Sequence, residues 1–259
     1  MTQVRAKKYL GQHFLRDQEV ARRIAASLAL DSVTDVLEIG PGMGVLTQYL
    51  LTDKNVNLTA VELDGESVKY LNEHYPNLKV IEADFLKMDL ADIFDDKFCI
   101  IGNFPYNISS QIFFKMLENR DRIPCLVGMI QKEVAERMAA KHGNKTYGIL
   151  SVLMQAFYSI DYLFTVHEHV FDPPPKVKSA VIRLTRNGVN SLGCDEKLFK
   201  TVVKTAFNQR RKTLRNSLRP LVEKENAMFA DSLFDKRPEQ LDIAGFIDLT
   251  NRVEKALAK

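Results

Sequence analysis

Residues 35–44 read DVLEIGPGMG, and a short, mostly apolar run leads directly into three alternating glycines. The apolar run at 35–39 is typical of a strand that is buried inside a parallel sheet. Glycines permit a tight turn and let the backbone approach a ligand, while the helix expected to begin near Val45 offers free N–H groups. The stretch therefore predicts a strand–turn–helix unit with a ligand at the turn. Its GxGxG spacing differs from the GxGxxG pattern of dinucleotide sites.

The alternation of strand and helix continues along the chain after this turn. Apolar runs predict further strands, and amphipathic patterns between them predict helices. The predicted strands are 58–63, 78–83, 98–102, 125–130, 162–166 and 180–184, and the predicted helices include 65–74, 109–118 and a hairpin over 132–158. This order predicts a doubly wound, Rossmann-like α/β sheet, in which ligands bind beyond the carboxyl ends of the strands.

The composition changes near the C-terminal quarter of the chain. Residues 187–193 read NGVNSLG, which is typical of a linker, and only helical patterns follow. We therefore predict two domains, an α/β domain at 1–186 and a small all-α domain at 187–259.

Positive charge is concentrated in this second predicted domain. The chain carries a net charge of +3, and residues 197–219 contain no acidic residue. Arg211, Arg215 and Arg219 are spaced four apart and are expected to share one face of a helix. An acid-free basic stretch predicts a surface that contacts nucleic-acid phosphates, with a solvated helix face as the plainer alternative. The candidate RNA-binding residues are Lys204, Arg210, Arg211, Lys212, Arg215 and Arg219.

Two acidic residues stand at the ends of the strands that follow the glycine-rich turn. Glu62 closes the second predicted strand, where an acid commonly binds ribose hydroxyls, and Asp84 follows the third. With Gly40 and Gly42, they suit a nucleoside that has a zwitterionic amino-acid tail, such as S-adenosylmethionine. Glu62 would bind the ribose, Asp84 the adenine amino group, and the backbone the methionyl part. The alternative for each acid is helix N-capping.

Residues 103–106, which read NFPY, carry the most specific chemical signal. The N6 amine of adenine is a poor nucleophile because its lone pair is delocalised into the ring. The side-chain carbonyl of Asn103 and the backbone carbonyl of Phe104 can accept its hydrogens and favour a more tetrahedral nitrogen. Pro105 stiffens the turn, and Tyr106 can stack on the base. Catalysis would then rest on positioning and electrostatics rather than on acid–base transfer.

The remaining chemistry-bearing residues exclude several classes of protein. Cys99, Cys125 and Cys194 are far apart in sequence, which favours a reducing compartment. His167 and His169 have no further ligands nearby in sequence, so we predict no metal site. The basic N-terminus lacks the apolar segment of a secretory signal, and no apolar run is long enough to span a membrane. We expect a cytoplasmic protein without a membrane partner.

Several blocks of the chain resemble, in the same order, the KsgA-type branch of the rRNA adenine dimethyltransferase family. The blocks are LGQHFL at 10–15, EIGPGMG at 38–44, Glu62, Asp84, NFPY at 103–106, FDPPPKV at 171–177 and the basic segment FNQRRKTLRNSL at 207–218. The resemblance covers nearly the whole chain. It implies a class I methyltransferase sheet with a small C-terminal helical domain and S-adenosylmethionine as the methyl donor. The implied reaction dimethylates N6 of two adjacent adenosines near the 3′ end of 16S rRNA.

The resemblance also implies roles for individual residues and partners. The cofactor-binding residues would be Gln12, His13, Leu15, Gly40, Gly42, Glu62, Asp84 and Asn103. The block at 10–15 would close over the methionyl end of the cofactor. Phe171 would pack on the target base, opposite Tyr106, and Phe104 stands where many relatives have Leu. The implied partner is 16S rRNA within the small (30S) ribosomal subunit or its precursor, bound by a monomer and without DNA.

Four alternatives share part of this pattern. Erm-type 23S rRNA methyltransferases share the fold and the Asn-x-Pro-Tyr turn, but the segment at 207–218 favours the KsgA type. DNA adenine methyltransferases share the chemistry, but no insertion resembles a target-recognition domain. A non-catalytic ribosome-assembly factor is disfavoured because Asn103, Tyr106, Glu62 and Asp84 are all present. A dehydrogenase is disfavoured by the glycine spacing.

Overall fold

The computed structural model describes residues 4–32, 34–224 and 226–258 of the chain. The chain divides into two compact units. One is formed by residues 1–135 and 160–186, and the other by residues 136–159 and 187–259.

The first unit contains a β-sheet with helices between its strands. Its strands are β1 (Phe14–Leu15), β2 (Thr34–Ile39), β3 (Val56–Glu62), β4 (Lys79–Glu82), β5 (Phe98–Asn103), β6 (Cys125–Gln131), β7 (Tyr158–Val166), β8 (Phe171–Asp172) and β9 (Ser179–Arg186). Its helices are α1 (Gln18–Ala26), α2 (Thr47–Leu50), α3 (Gly65–His74), α4 (Ser109–Glu118) and α5 (Lys132–Ala139). The unit boundaries at 135/136 and 159/160 fall inside α5 and β7.

The main sheet has seven strands in the order β4-β3-β2-β5-β6-β9-β7. The strands β2 to β6 pair in parallel, and β9 runs antiparallel to β6. The strand order reverses between β2 and β5, and α/β sheets bind ligands at the carboxyl ends of such a switch point. The predicted doubly wound α/β sheet is therefore confirmed.

The sequence explains why these elements form where they do. The buried side chains of β2 occupy four consecutive positions, as expected for a strand covered on both faces. Asp17 and Asp64 cap the N-termini of α1 and α3 by accepting hydrogen bonds from the Val20 and Glu66 backbone N–H groups. The helices α3 and α4 begin and end where the sequence predicts.

The second unit is built from helices, as the C-terminal pattern predicts. They are α6 (Ile149–Gln155), α7 (Glu196–Asn208), α8 (Leu214–Ser217) and α9 (Ile243–Leu257), with short 3-10 turns at 227–230, 232–235 and 238–240. Phe207 of α7 contacts Tyr147 and stacks on Phe246 of α9. One break between the units falls at 186/187. The unit also takes in residues 136–159, because α6 packs against α7.

The basic segment at 207–218 is not one continuous helix, and this corrects the expectation from its arginine spacing. The helix α7 ends at Asn208 because Gln209 adopts φ −120° and ψ 55°. A turn follows, and α8 covers only Leu214–Ser217. Arg211 and Arg219 therefore lie outside the helix that carries Arg215, and the three side chains do not share one helix face.

The sheet also brings together two cysteines that are distant in sequence. The parallel register of Ile100 with Leu126 sets Cys99 beside Cys125 on neighbouring strands. All three cysteines are free thiols. Their separation along the chain is therefore not a guide to their separation in the fold.

Candidate active site

A cavity of about 320 Å³ opens at the carboxyl ends of β2, β3 and β5 and beside the loop that follows β4. This volume lies at the lower end of the range for small-molecule sites. Nearly all of the predicted cofactor and catalytic residues line it. They are Gln12, His13, Leu15, Gly40, Gly42, Glu62, Asp84, Asn103, Phe104 and Tyr106.

The glycine-rich turn forms one wall of the cavity. Gly40 and Gly42 have positive φ angles of 66° and 56°, which residues with a side chain rarely adopt. A Cβ atom placed on Gly40 would meet no other atom within 4 Å, so a ligand can approach the backbone there. The turn therefore leaves room for backbone contact with a ligand, and the contact itself stays a prediction.

Glu62 ties this turn to the end of β3. Its carboxylate accepts hydrogen bonds from the backbone N–H groups of Gly42, Leu63 and Asp64 at 3.0, 2.8 and 2.9 Å. Burial raises the pKa of the Glu62 carboxyl, and the three backbone hydrogen bonds oppose that shift. A carboxylate offers about four lone-pair sites, so one remains for a ligand hydroxyl.

Asp84 follows β4 on the cavity wall. Its Oδ1 accepts a hydrogen bond from the Leu86 backbone N–H at 3.0 Å, and its Oδ2 lies 3.6 Å from Lys87 Nζ. The carboxylate retains further acceptor sites that could bind an amino group.

The turn at 103–106 leaves the end of β5. The Asn103 side chain donates a hydrogen bond from Nδ2 to the backbone carbonyl of His13 at 3.0 Å. This contact fixes the orientation of the amide. Among residues 4–32, 34–224 and 226–258, no donor lies within hydrogen-bond distance of Asn103 Oδ1 or the Phe104 carbonyl oxygen. Both predicted acceptors of the adenine amine are thus available.

Tyr106 is held from two sides. Its hydroxyl forms a hydrogen bond with Ser179 Oγ, and its ring lies 5.5 Å from the ring of His13. Burial raises the pKa of the Tyr106 phenol, while the Ser179 hydrogen bond opposes the shift. The phenol therefore stays neutral near pH 7, which suits a stacking role rather than a base.

The segment at 7–15 covers the same cavity. Gln12 Oε1 accepts a hydrogen bond from the Lys7 backbone N–H at 2.8 Å, and the Lys7 ammonium pairs with Asp64. His13 Nδ1 lies 2.7 Å from the Pro173 carbonyl oxygen. Because a carbonyl only accepts, His13 Nδ1 is the donor in this contact.

The positions of Phe171 and Glu38 relative to the cavity differ from those predicted from the sequence. Phe171 does not line the cavity: it is 4% exposed, belongs to the hydrophobic core, and lies opposite Leu15 in the β1–β8 pair. Its stacking on the target base stays a prediction, and its burial favours a packing role. Glu38 lines the cavity although the sequence-based site omits it.

Glu38 is a buried acid at the end of β2. It is 1% exposed and accepts a hydrogen bond from the Thr47 hydroxyl at 2.7 Å. Burial raises the pKa of Glu38 to about 7, with the nearby Glu62 adding to the shift. A charged residue among the apolar residues 36–39, next to the glycine-rich turn, is the sequence signal that could have indicated it.

The predicted RNA-binding residues all lie in the second unit, but in different settings. Lys204 is on α7, and Arg211 and Lys212 are exposed in the turn that follows. Arg215 is held within the unit, because it donates to the Phe229 carbonyl and pairs with Asp235 at 2.6 Å. Of the remaining two, Arg210 is half-buried and Arg219 is exposed.

No helix of the described residues is long and apolar enough to cross a membrane. In that part of the chain, no group of three or more His, Cys, Asp or Glu side chains could hold a metal ion.

Solved structures place this architecture in a known class. A dimethyladenosine transferase from Plasmodium falciparum superposes with a TM-score of 0.79 at 27% identity, covering 94% of this chain and 98% of that one. The 23S rRNA methyltransferase ErmE gives a TM-score of 0.71 at 26% identity, covering 93% and 99%. The fold is that of a class I methyltransferase.

Sequence comparison identifies the family within this class. A sequence model of the family described as ribosomal RNA adenine dimethylase matches residues 3–255. Proteins named ribosomal RNA small subunit methyltransferase A are similar over nearly their whole length. Those of Parabacteroides distasonis and Bacteroides thetaiotaomicron are 62% and 64% identical, covering 100% and 99% of this chain and 98% and 97% of theirs. The chain belongs to the ribosomal RNA adenine dimethylase family, a family of S-adenosylmethionine-dependent methyltransferases.

Proposed function

We propose that this protein transfers methyl groups from S-adenosylmethionine to N6 of two adjacent adenosines near the 3′ end of 16S rRNA. The substrate would be the small ribosomal subunit or its precursor, bound in the cytoplasm by a monomer. The observation that carries the proposal is the arrangement of Asn103. Its amide is anchored through Nδ2, and its Oδ1 is left as an acceptor in a cavity shared with Glu62 and Asp84.

The residues of the cavity fit the cofactor. Glu62 has a lone-pair site left for a ribose hydroxyl, and Asp84 can accept from the adenine amino group. Open space beside Gly40 allows the methionyl part to lie against the backbone. The segment at 10–15, including Gln12, His13 and Leu15, would cover that end. S-adenosylmethionine supplies the electrophilic methyl group.

The chain's own residues would act on the adenine. Asn103 Oδ1 and the Phe104 carbonyl would accept the two N6 hydrogens, which draws the lone pair out of conjugation with the ring. Tyr106 would stack on the base and hold N6 in line. Because the Tyr106 phenol is neutral near pH 7, the proton released after transfer goes to water. The site thus works by orientation and fixed dipoles.

The substrate is tested by mass spectrometry of rRNA nucleosides from cells with and without this gene. We expect N6,N6-dimethyladenine to disappear from small-subunit RNA in the deletion strain. A plasmid with the wild-type gene should restore it, and one with Asn103→Ala should not. Loss from 23S rRNA instead would favour the Erm-type activity, and an unchanged nucleoside profile would favour a non-catalytic assembly role.

The cofactor site is tested by calorimetry on the purified protein. We expect Asp84→Ala to weaken S-adenosylmethionine binding by about 1–3 kcal/mol, because a buried amino group loses its acceptor. Lys87→Ala is the matched control, since it removes only the cation beside Asp84 Oδ2. Unchanged affinity in Asp84→Ala, or tight NAD binding by the wild type, would contradict the assignment.

A further inference from the structure

Two glycines lie side by side on neighbouring strands, Gly102 near the carboxyl end of β5 and Gly128 in the middle of β6. Gly102 and Gly128 are partners in the parallel register of these strands. Since neither residue has a side chain, they leave a flat patch of backbone on one face of the central sheet.

The ring of Phe104 lies across this patch. A Cβ atom on Gly128 would lie 2.4 Å from Phe104 Cε2, and one on Gly102 would lie 2.7 Å from Phe104 Cε1. Opposite edges of the ring therefore face the two glycines. The ring is 1% exposed and packs edge-on against Phe113, with 6.1 Å between ring centroids. It has little room to move away from the sheet.

The backbone of Phe104 is tied to the same strand. Its N–H donates to the carbonyl of Met129, the residue after Gly128, at 3.1 Å. Ring and amide together fix Phe104 against β6. Asn103 and Pro105 adjoin Phe104 directly, so a displacement of this ring would also displace both of them.

We propose that Gly128 is a positioning residue for methyl transfer. By leaving room for the Phe104 ring, it holds Asn103 Oδ1 and the Phe104 carbonyl where the adenine amine is bound. Gly128 itself does not line the cavity, and it acts only through Phe104. This inference rests on the proposed function.

Gly128 is a better test position than Gly102. A Cβ on Gly102 would lie 2.5 Å from the backbone carbonyl oxygen of Ile39, so its substitution would also disturb β2. At Gly128, the three nearest atoms all belong to the Phe104 ring. A smaller side chain at position 104 should therefore relieve the added methyl group.

The experiment compares four proteins: wild type, Gly128→Ala, Phe104→Leu and the double variant. Single-turnover methylation of unmethylated small ribosomal particles is measured at saturating S-adenosylmethionine, alongside calorimetric cofactor affinity and thermal melting. We expect Gly128→Ala to lower the rate about tenfold or more per folded molecule, because a shift below 1 Å in a reacting group has effects of this size. Cofactor affinity should change much less. Gly148→Ala is the control, since its Cβ would meet nothing closer than 4.0 Å.

The decisive quantity is the effect of Gly128→Ala in the two backgrounds. In the Phe104→Leu background the same substitution should change the rate by less than about threefold, since residues in contact give coupled effects. A wild-type rate in Gly128→Ala, or the same penalty in both backgrounds, overturns the proposal. A changed melting temperature of Gly128→Ala without a change in its rate also overturns the proposal. If Gly128→Ala gives no folded protein, a rate in the double variant far below that of Phe104→Leu overturns it, and equal rates support it. Lack of methylation by the wild type would instead refute the proposed function.

Discussion

The two polar atoms of the Asn103 side chain have different roles: Nδ2 makes a structural hydrogen bond, and Oδ1 is the proposed acceptor for the substrate. Its Nδ2 donates to the backbone carbonyl of His13, and no described residue donates to its Oδ1. The hydrogen bond fixes the orientation of the oxygen before any substrate binds, so no reorganisation is needed during the reaction. Preorganised dipoles of this kind commonly contribute the largest part of catalysis.

Replacement of Asn103 by Ala should therefore affect the rate more than binding. We expect the single-turnover rate at saturating cofactor to fall by about a hundredfold, or about 3 kcal/mol, because one transition-state acceptor is lost. Cofactor affinity measured by calorimetry should fall much less. A variant that methylates small ribosomal particles at nearly the wild-type rate would remove Asn103 from this role.

Glu38 predicts a pH dependence of stability. Its folded-state pKa of about 7 lies above the ordinary value of 4.5, so folding favours the protonated form. The protonated acid contributes its full stability below pH 4.5, and this contribution is lost as the pH rises toward 7. The loss approaches about 1.4 kcal/mol per pH unit within this window.

Glu38→Gln should remove this dependence. We expect denaturant unfolding at pH 5, 6, 7 and 8 to show the wild type losing stability relative to Glu38→Gln as the pH rises. Glu254→Gln, on the exposed face of α9, serves as the control and should follow the wild type. Parallel curves for the wild type and Glu38→Gln would show that Glu38 titrates normally in the fold.

The strand ends explain how far the site could be predicted from residues alone. Glu62, Asp84 and Asn103 each end or follow a parallel strand, and such ends meet at one edge of a sheet. Glu38 was missed because it lies one position inside its strand, where burial rather than sequence spacing brings it to the cavity. The contact of His13 with Asn103 was also missed, because no sequence pattern indicates a contact between a loop and a residue 90 positions away.

At the scale of elements, the short β1–β8 pair connects the N-terminal segment to the body of the first unit. Phe14 lies opposite Asp172, and Leu15 opposite Phe171. Phe171 is buried in the core at this point, so its side chain holds β1, and through it the segment that contacts Asn103.

Phe171→Leu separates this packing role from the predicted stacking on the target base. Leu keeps most of the apolar volume, so we expect a loss of only about 1 kcal/mol in unfolding free energy. Methylation per folded molecule should stay near the wild-type rate, while Tyr106→Leu should slow it because a stacking face is lost. An equal loss of rate in both variants would instead support the stacking role of Phe171.

Elements with strong periodicity were predicted well, and those without it were not. The helices α3 and α4 have an apolar face and clear ends, so their bounds match the prediction. Two-residue strands such as β1 and β8 are too short to show alternation. The end of α7 at Asn208 was missed because the arginine spacing that follows imitates a helix, whereas the backbone at Gln209 leaves the helical region.

At the scale of the whole molecule, the positive charge of the second unit is the feature that could bind a partner. Residues 197–219 lack acidic side chains, and the chain as a whole carries a net charge of only +3. The structure narrows the candidates within this stretch. Arg215 donates a hydrogen bond to the Phe229 carbonyl and forms an ion pair with Asp235, whereas Arg211 and Lys212 are exposed in the turn after α7.

We therefore expect Arg211 and Lys212 to contact RNA phosphates without reading bases. Each phosphate contact releases counterions, so Arg211→Ala/Lys212→Ala should lower the salt slope of binding to small ribosomal particles by roughly 1.4–1.8. Binding is measured across a salt series.

Lys224→Ala/Lys255→Ala removes the same charge from exposed positions outside the acid-free stretch, and should leave the slope unchanged. Cofactor affinity should be equal in all three proteins, because every described residue that lines the cavity belongs to the first unit. A slope equal to the wild type in Arg211→Ala/Lys212→Ala would mean that this turn is only a solvated surface. The RNA would then dock elsewhere, and the exposed side chains of Arg5 and Lys8 would be the next to test.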